Sequence, residues 1–177
     1  MIINDSQQWS GVWPVMLTPF TAAGRIDYQG VDCLVDWYID AGVSGLFAVC
    51  LSSEMYHLTP AERLELAAHV VAYAAGRVPV VAAGLFGSDP LPEQVRRLAD
   101  TGVAAVVLTV NQLAAADEAD ELLQRNLERL LDASSETLFG LYECPQPLSR
   151  RGQALAGDVG PAHKPNLPGA GRRRSSR

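Results

Sequence analysis

Leu58-Thr59-Pro60-Ala61-Glu62-Arg63 opens a segment that closes on Gly76-Arg77-Val78-Pro79-Val80-Val81-Ala82-Ala83-Gly84. Its first half specifies a helix start. Thr59 offers a side-chain oxygen to the first free backbone N–H groups, Pro60 suits the first helical position, and Glu62 completes a capping box. The second half reads differently: Val78 to Ala83 is a short, β-branched, nearly unbroken apolar run, the signature of a strand covered on both faces. A helix followed at once by such a strand is one half-turn of an α/β repeat.

The same alternation continues outward in both directions. Val12 to Leu17, Gly45 to Val49, Ala104 to Val110 and Thr137 to Tyr142 are further strand-length apolar runs. Between them, Val31, Leu34, Val35, Tyr38 and Ile39 recur at helical spacing, as do Leu123, Leu127, Leu130 and Leu131. Gly42 and Gly102 stand where helix C-caps belong. Asp117, Glu118, Asp120 and Glu121 read as a solvated helix start that favours the helix dipole. The spacing of about 30 residues per β-plus-α unit is that of right-handed βαβ repeats. Five strands are predicted, and periodicity alone fits a doubly wound sheet and a (β/α)8 barrel equally.

At 177 residues, 48% hydrophobic and 19% charged, the chain has the composition of one globular domain. Three cysteines, Cys33, Cys50 and Cys144, form no CxxC pair, which excludes a disulfide scaffold or zinc cluster and suits a reducing, cytoplasmic setting. No apolar run approaches the length of about 18 residues that a membrane span needs, so no membrane partner is expected. The net charge of −6 carries no nucleic-acid footprint. That value is nevertheless a sum of two unlike parts. Residues 1–145 hold 7 arginines against 19 acids, whereas 146–177 hold 7 basic groups against Asp158 alone. The second part has no aromatic residue and is rich in Gly, Pro and Arg, so a disordered or out-of-frame tail is expected after an α/β domain of 1–145.

The order of motifs adds a resemblance. Thr18-Pro19-Phe20, Ala23-Gly24-Arg25-Ile26-Asp27, Ala41-Gly42-Val43-Ser44-Gly45, Glu54, the motifs at 58–63 and 76–84 and Leu141-Tyr142-Glu143-Cys144-Pro145 follow one another as in the dihydrodipicolinate synthase / N-acetylneuraminate lyase family. The resemblance covers residues 11–145. It implies a partial TIM barrel of about five βα units and class I aldolase chemistry on pyruvate or a similar 2-oxo acid. In that chemistry a strand-six lysine forms a Schiff base, whose nitrogen serves as the electron sink, and no metal or organic cofactor is required. Intact members are often homo-oligomers.

Carried over residue by residue, Tyr142 matches the strand-five tyrosine that positions substrate and relays protons. Cys50-Leu51-Ser52-Ser53-Glu54 stands where the family has Gly-Thr-Thr-Gly-Glu, a loop that binds the substrate carboxylate. Ser52 keeps a hydroxyl and Leu51 loses one. Ser52 and Ser53 are the candidate substrate-binding residues, and the two missing glycines are expected to reshape the pocket. Val110-Asn111-Gln112-Leu113 carries no phenol where the family often has Thr-Pro-Tyr-Tyr. The sole lysine, Lys164, lies 22 residues beyond Tyr142 among Pro161, Pro165 and Pro168, a poor setting for a central strand. Lys164 is therefore the only Schiff-base candidate, and the reading expects an inactive, truncated member. The alternative is a non-catalytic half-barrel that retains a carboxylate pocket. His57 and His69 have no partner at metal-ligand spacing.

Overall fold

The structure, a computed structural model, describes residues 9–83, 89–109, 113–114, 118–134 and 136–142. The chain divides into Met1–Pro145 and Gln146–Arg177, and every described residue lies in the first unit. Its elements alternate: α1 (Tyr28–Asp40), β1 (Leu46–Phe47), a 3-10 turn (Leu51–Ser53), α2 (Pro60–Ala74), β2 (Val80–Ala82), α3 (Leu91–Ala99), β3 (Ala105–Thr109), α4 (Asp120–Ala133) and β4 (Phe139–Tyr142). The four strands form one sheet in the order β1-β2-β3-β4, every neighbouring pair parallel. Sequential order without a reversal is how a (β/α)8 barrel is wound, whereas a doubly wound sheet changes direction partway. The fold is α/β, with roughly four βα units consistent with part of a barrel.

The expected first strand is present only in reduced form. Residues 12–17 lie along β1 through a single parallel bridge, Val15 with Phe47. Met16 N–H donates to Phe47 O at 2.9 Å and Phe47 N–H to Pro14 O at 3.0 Å. Pro14 has no N–H to add to the ladder, so the pairing stops short of a full strand. Nor are both faces of the outer runs covered: Val12, Leu17, Leu138 and Leu141 are exposed, all of them at the two ends of the sheet.

Every residue of β1, β2 and β3 is buried, and successive side chains enter opposite faces with period two, as they must on a pleated sheet. Leu46, Ala48, Val80, Ala82, Val106 and Leu108 point into the main core with the helices. Phe47, Val81, Ala83, Ala105 and Val107 form a second cluster on the opposite face, joined by Trp9, Trp13, Leu51 and Tyr142. From α1 the main core receives Val31 and Val35, and from α4 Leu130. Leu131 is exposed, contrary to the expected stripe: Leu123, Leu127 and Leu130 face the core at i, i+4, i+7, and Leu131, about 100° round the helix from Leu130, falls at the solvent edge of that arc.

The helix starts follow their local chemistry. Asp27 caps α1, its carboxylate accepting from Gly30 N–H at 3.2 Å. Thr59 Oγ1 accepts from Glu62 N–H at 3.2 Å, while Glu62 Oε2 accepts from both Thr59 N–H and the Thr59 hydroxyl at 2.8 Å. The backbone N–H of Thr59, and then its hydroxyl, hold the Glu62 carboxyl below its usual range. The stabilisation from Glu62 is therefore complete above the ordinary carboxyl range and is lost as pH falls through the lowered value. Thr59→Ala is expected to cost about 1 kcal/mol. A lowered urea midpoint would report it, with Thr59→Ser near the parent, and equal midpoints for all three proteins would show that the cap is idle.

Candidate functional site

The site is built where β1 ends. Ala48 and Val49 carry the chain to Cys50, whose backbone is extended and whose side chain is buried. Leu51–Ser53 then make one 3-10 turn, with Ser53 N–H donating to Cys50 O at 3.1 Å and Glu54 N–H to Leu51 O at 3.0 Å. Cys50 does not use the conformational freedom that glycine would supply. Positive φ occurs one residue after Ser53, at Glu54 (φ 55°), where a residue other than glycine holds the left-handed conformation at a cost of about 1 kcal/mol.

The two serines of this turn differ. Ser52 is exposed. Ser53 is fully buried, and its hydroxyl engages backbone: it donates to Met16 O at 2.7 Å, lies 3.1 Å from Ala48 O, and accepts from Cys50 N–H at 3.1 Å. Thr18, 6% exposed, donates its hydroxyl to Ser53 O at 2.8 Å.

Tyr142 ends β4 on the sheet face that carries the second cluster. Its ring meets Phe47 edge-on, with centroids 5.9 Å apart and planes at 88°. Together they line a cavity of about 530 Å³ that also takes in Trp9, Trp13, Val81 and Val107. Among the described residues, no charged side chain lines it. Its polar features among the described residues are thus the Tyr142 phenol, the indole N–H groups of Trp9 and Trp13 and main-chain groups, all of them uncharged. Cys50 and Leu51 share the cluster against which Tyr142 packs, which brings the turn and the tyrosine to one face. Ser52 and Ser53 do not line the cavity. Lys164 lies outside the described residues, as do Glu143, Cys144, Pro145 and Val110-Asn111-Gln112.

Two features here escape a reading by motif. Trp9 and Trp13 stack at 5.5 Å and 25°, covering one side of the cavity. No periodic pattern relates them to the strands they pack on. Arg63 is 8% exposed, its Nε–H donating to Leu58 O at 3.1 Å, so it braces the segment that follows the turn. Burial pushes its pKa below the usual guanidinium value. A signal for Arg63 did exist: it sits on the buried stripe Arg63, Leu66, Ala67, Val70, Ala74 of α2, a position an unpartnered arginine would not occupy.

His57 is exposed, and His69 packs between α1 and α2 with Nε2 2.6 Å from Asp32 Oδ1. Beside it, Arg77 and then Tyr73 hydrogen-bond Asp36 and hold its carboxyl below the ordinary range. These are contacts between helices, away from the cavity. Among the described residues, no group of three or more His, Cys, Asp or Glu converges as a metal site. None of the described helices is long and apolar enough to cross a membrane.

Comparison with known proteins agrees with this architecture. A 4-hydroxy-tetrahydrodipicolinate synthase of Methanococcus maripaludis (strain C7) is 36% identical over 99 residues, which are 55% of this chain and 34% of that protein. One from Laribacter hongkongensis is 35% identical over 107 residues, 58% of this chain and 37% of its own length. Among solved structures, a dihydrodipicolinate synthase superimposes with a TM-score of 0.68 at 26% identity, covering 76% of this chain and 46% of that one. A prophage protein of the dihydrodipicolinic acid synthase family from E. coli K12, in complex with pyruvate, gives 0.67 at 27% identity, covering 77% and 45%. The chain thus spans about a third of the length of these curated relatives and under half of these two solved chains. The model of the dihydrodipicolinate synthetase family matches residues 8–111, more than half of the sequence, and with the parallel, sequentially ordered sheet this establishes that the chain belongs to that family.

Proposed function

We propose that this chain binds pyruvate or a similar 2-oxo acid in the cavity beside Tyr142, as its part in Schiff-base lyase chemistry of the dihydrodipicolinate synthase type. The observation that carries the reading is the position of Tyr142: at the C-terminal end of a parallel strand, ring braced by Phe47, lining the cavity. That end of the strands is where such folds place their chemistry. The phenol can donate to a ligand carbonyl or carboxylate and accept in return, so one group can both orient a 2-oxo acid and pass a proton. Ser52 lies outside the cavity lining, but it is the exposed hydroxyl of the turn whose Cys50 and Leu51 join the same cluster as Tyr142, and it is the second polar group assigned to the carboxylate. A pyruvate complex of a relative with the same fold supports the ligand class.

The covalent step requires an amine, and among the 177 residues only Lys164 is a lysine. Its proline-rich setting favours a charged, solvated ammonium over the neutral amine that attacks a ketone. The proposal is therefore binding without turnover by this chain alone.

Trp9 and Trp13 line the same cavity and report occupancy. Saturable quenching of their fluorescence by pyruvate is expected, weakened about tenfold in Tyr142→Phe, the effect of losing one hydrogen bond to a charged ligand. Borohydride treatment with pyruvate is expected to leave the mass unchanged. Absence of saturable binding would remove the ligand assignment, and a reduced adduct on Lys164 would overturn the non-covalent reading.

A further inference from the structure

We propose that Ser53 and Thr18 are positioning residues, which hold the turn from Cys50 to Glu54 in the one conformation that leaves Ser52 as its outward hydroxyl. The proposal rests on the reading of that turn as the carboxylate side of the site.

The hydrogen-bonding capacity of Ser53 is spent inside the protein. A serine hydroxyl has one proton, and here it goes to Met16 O at 2.7 Å, with Ala48 O a second acceptor at 3.1 Å. Its oxygen accepts the Cys50 N–H at 3.1 Å. The side chain is 0% exposed, so a ligand in the cavity has no path to it. Its own carbonyl is held as well, by the Thr18 hydroxyl at 2.8 Å. One residue is thus tied to the segment before β1 through Met16 and Thr18, and to the end of β1 through Ala48 and Cys50. Met16 N–H in turn donates to Phe47 O at 2.9 Å, so the ties close on the strand that braces Tyr142.

The motif that this turn resembles carries glycine at the position of Ser53, and glycine has no side chain with which to make these bonds. The serine therefore adds an anchor. What it supplies is order: the segment Leu51–Ser53 is only three residues long, too short to hold its shape through its own hydrogen bonds. Removing the hydroxyl would take one buried hydrogen-bond partner from Cys50 N–H and one from Met16 O, and the turn would be held less tightly to both. Ser52, next in the chain, would then lose its fixed direction. Thr18 works on the other side of the same turn, through its hydroxyl on Ser53 O.

The test compares the parent chain with Ser53→Ala, Thr18→Val and Thr18→Ser. Two readouts are used: hydrogen exchange of the turn amides and pyruvate titration by tryptophan fluorescence. In Ser53→Ala, exchange at Cys50, Glu54 and Met55 is expected to rise about tenfold, the consequence of losing one buried hydrogen bond, while amides of α4 keep the parental rate. Thr18→Val, which keeps the volume but not the hydroxyl, should move the same amides, and Thr18→Ser should restore them. Pyruvate affinity is expected to fall about tenfold in Ser53→Ala and Thr18→Val and to return in Thr18→Ser. Unchanged exchange at the turn in both hydroxyl-free variants would overturn the proposal, as would faster exchange with parental pyruvate affinity. If Ser53→Ala does not fold, the Thr18 pair decides by the same criteria. If the parent chain binds no pyruvate yet its turn exchanges as described, the anchor stands and the ligand assignment falls.

Discussion

Leu108→Ala is expected to cost about 2–5 kcal/mol, a large part of the roughly 5–15 kcal/mol that stabilises a typical domain. Leu108 is fully buried near the end of β3, which pairs with β2 on one side and β4 on the other. Its side chain lies on the face that meets the helices, in the main core with Leu98 and Val106. That core is enclosed, so truncation leaves a void that its surroundings fill only partly. The preceding residue supplies the control. Val107 belongs to the opposite cluster and lines the existing cavity, so Val107→Ala enlarges a space already open and is expected to cost about 1 kcal/mol. Urea unfolding followed by tryptophan fluorescence should show a midpoint lowered by roughly 1–2 M for Leu108→Ala. Equal losses for the two variants would mean that the faces of the sheet are not distinguished as described.

Gly45→Ala should be nearly as damaging, for the opposite reason. A Cβ built at Gly45 would clash with Trp13 Cζ3, Cε3 and Cη2, atoms of the six-membered ring. The indole is rigid and already stacked on Trp9, so it cannot yield as a flexible chain end would. Either the tryptophan pair lifts from the sheet or the start of β1 shifts, and overpacking of this kind costs about 1–3 kcal/mol. The spectroscopic result is specific: the near-ultraviolet circular dichroism of the Trp9–Trp13 pair should diminish along with the midpoint. Because the pair lines the cavity, pyruvate quenching should weaken too. A variant with parental stability and an intact tryptophan signal would show that Trp13 does not rest on Gly45.

Much of the local architecture was legible in the chain because it depends on near neighbours. The Thr59-Pro60-Ala61-Glu62 start of α2 needs only residues within one turn of it, and the structure places the cap and the reciprocal Glu62 bonds there. Asp27 at the start of α1 and Gly42 just past its end are of the same kind. Where the expectation failed, apolar character alone was not enough. Residues 12–17 are as apolar as a strand, yet pairing with β1 is limited to one bridge by the proline within them. Leu131 continues a leucine pattern whose buried arc was already filled by its neighbours.

The candidate site divides in the same manner. Tyr142 could be singled out from its flanking residues, but nothing in the sequence indicates that Phe47, from the far end of the sheet order, would brace its ring, or that two tryptophans would close one side of the cavity. Adjacent serines are equivalent on paper. Folding separates them, because one faces solvent while the other meets carbonyls from segments more than thirty residues away in the chain, at Met16, and next to it, at Ala48.

The sequence by itself determined the alternation of helices and strands, the capped start of α2, the motif order of the dihydrodipicolinate synthetase family and the candidacy of Tyr142. These rest on periodicity and on interactions within a turn or two, which the chain carries wherever it goes. Only the tertiary structure decided the sequential parallel order of the strands, the division of their side chains between a closed core and an open cavity, and the burial of Ser53. Each of these is set by groups remote in sequence that compete for the same space and the same hydrogen bonds, and that competition takes place only once the sheet has formed.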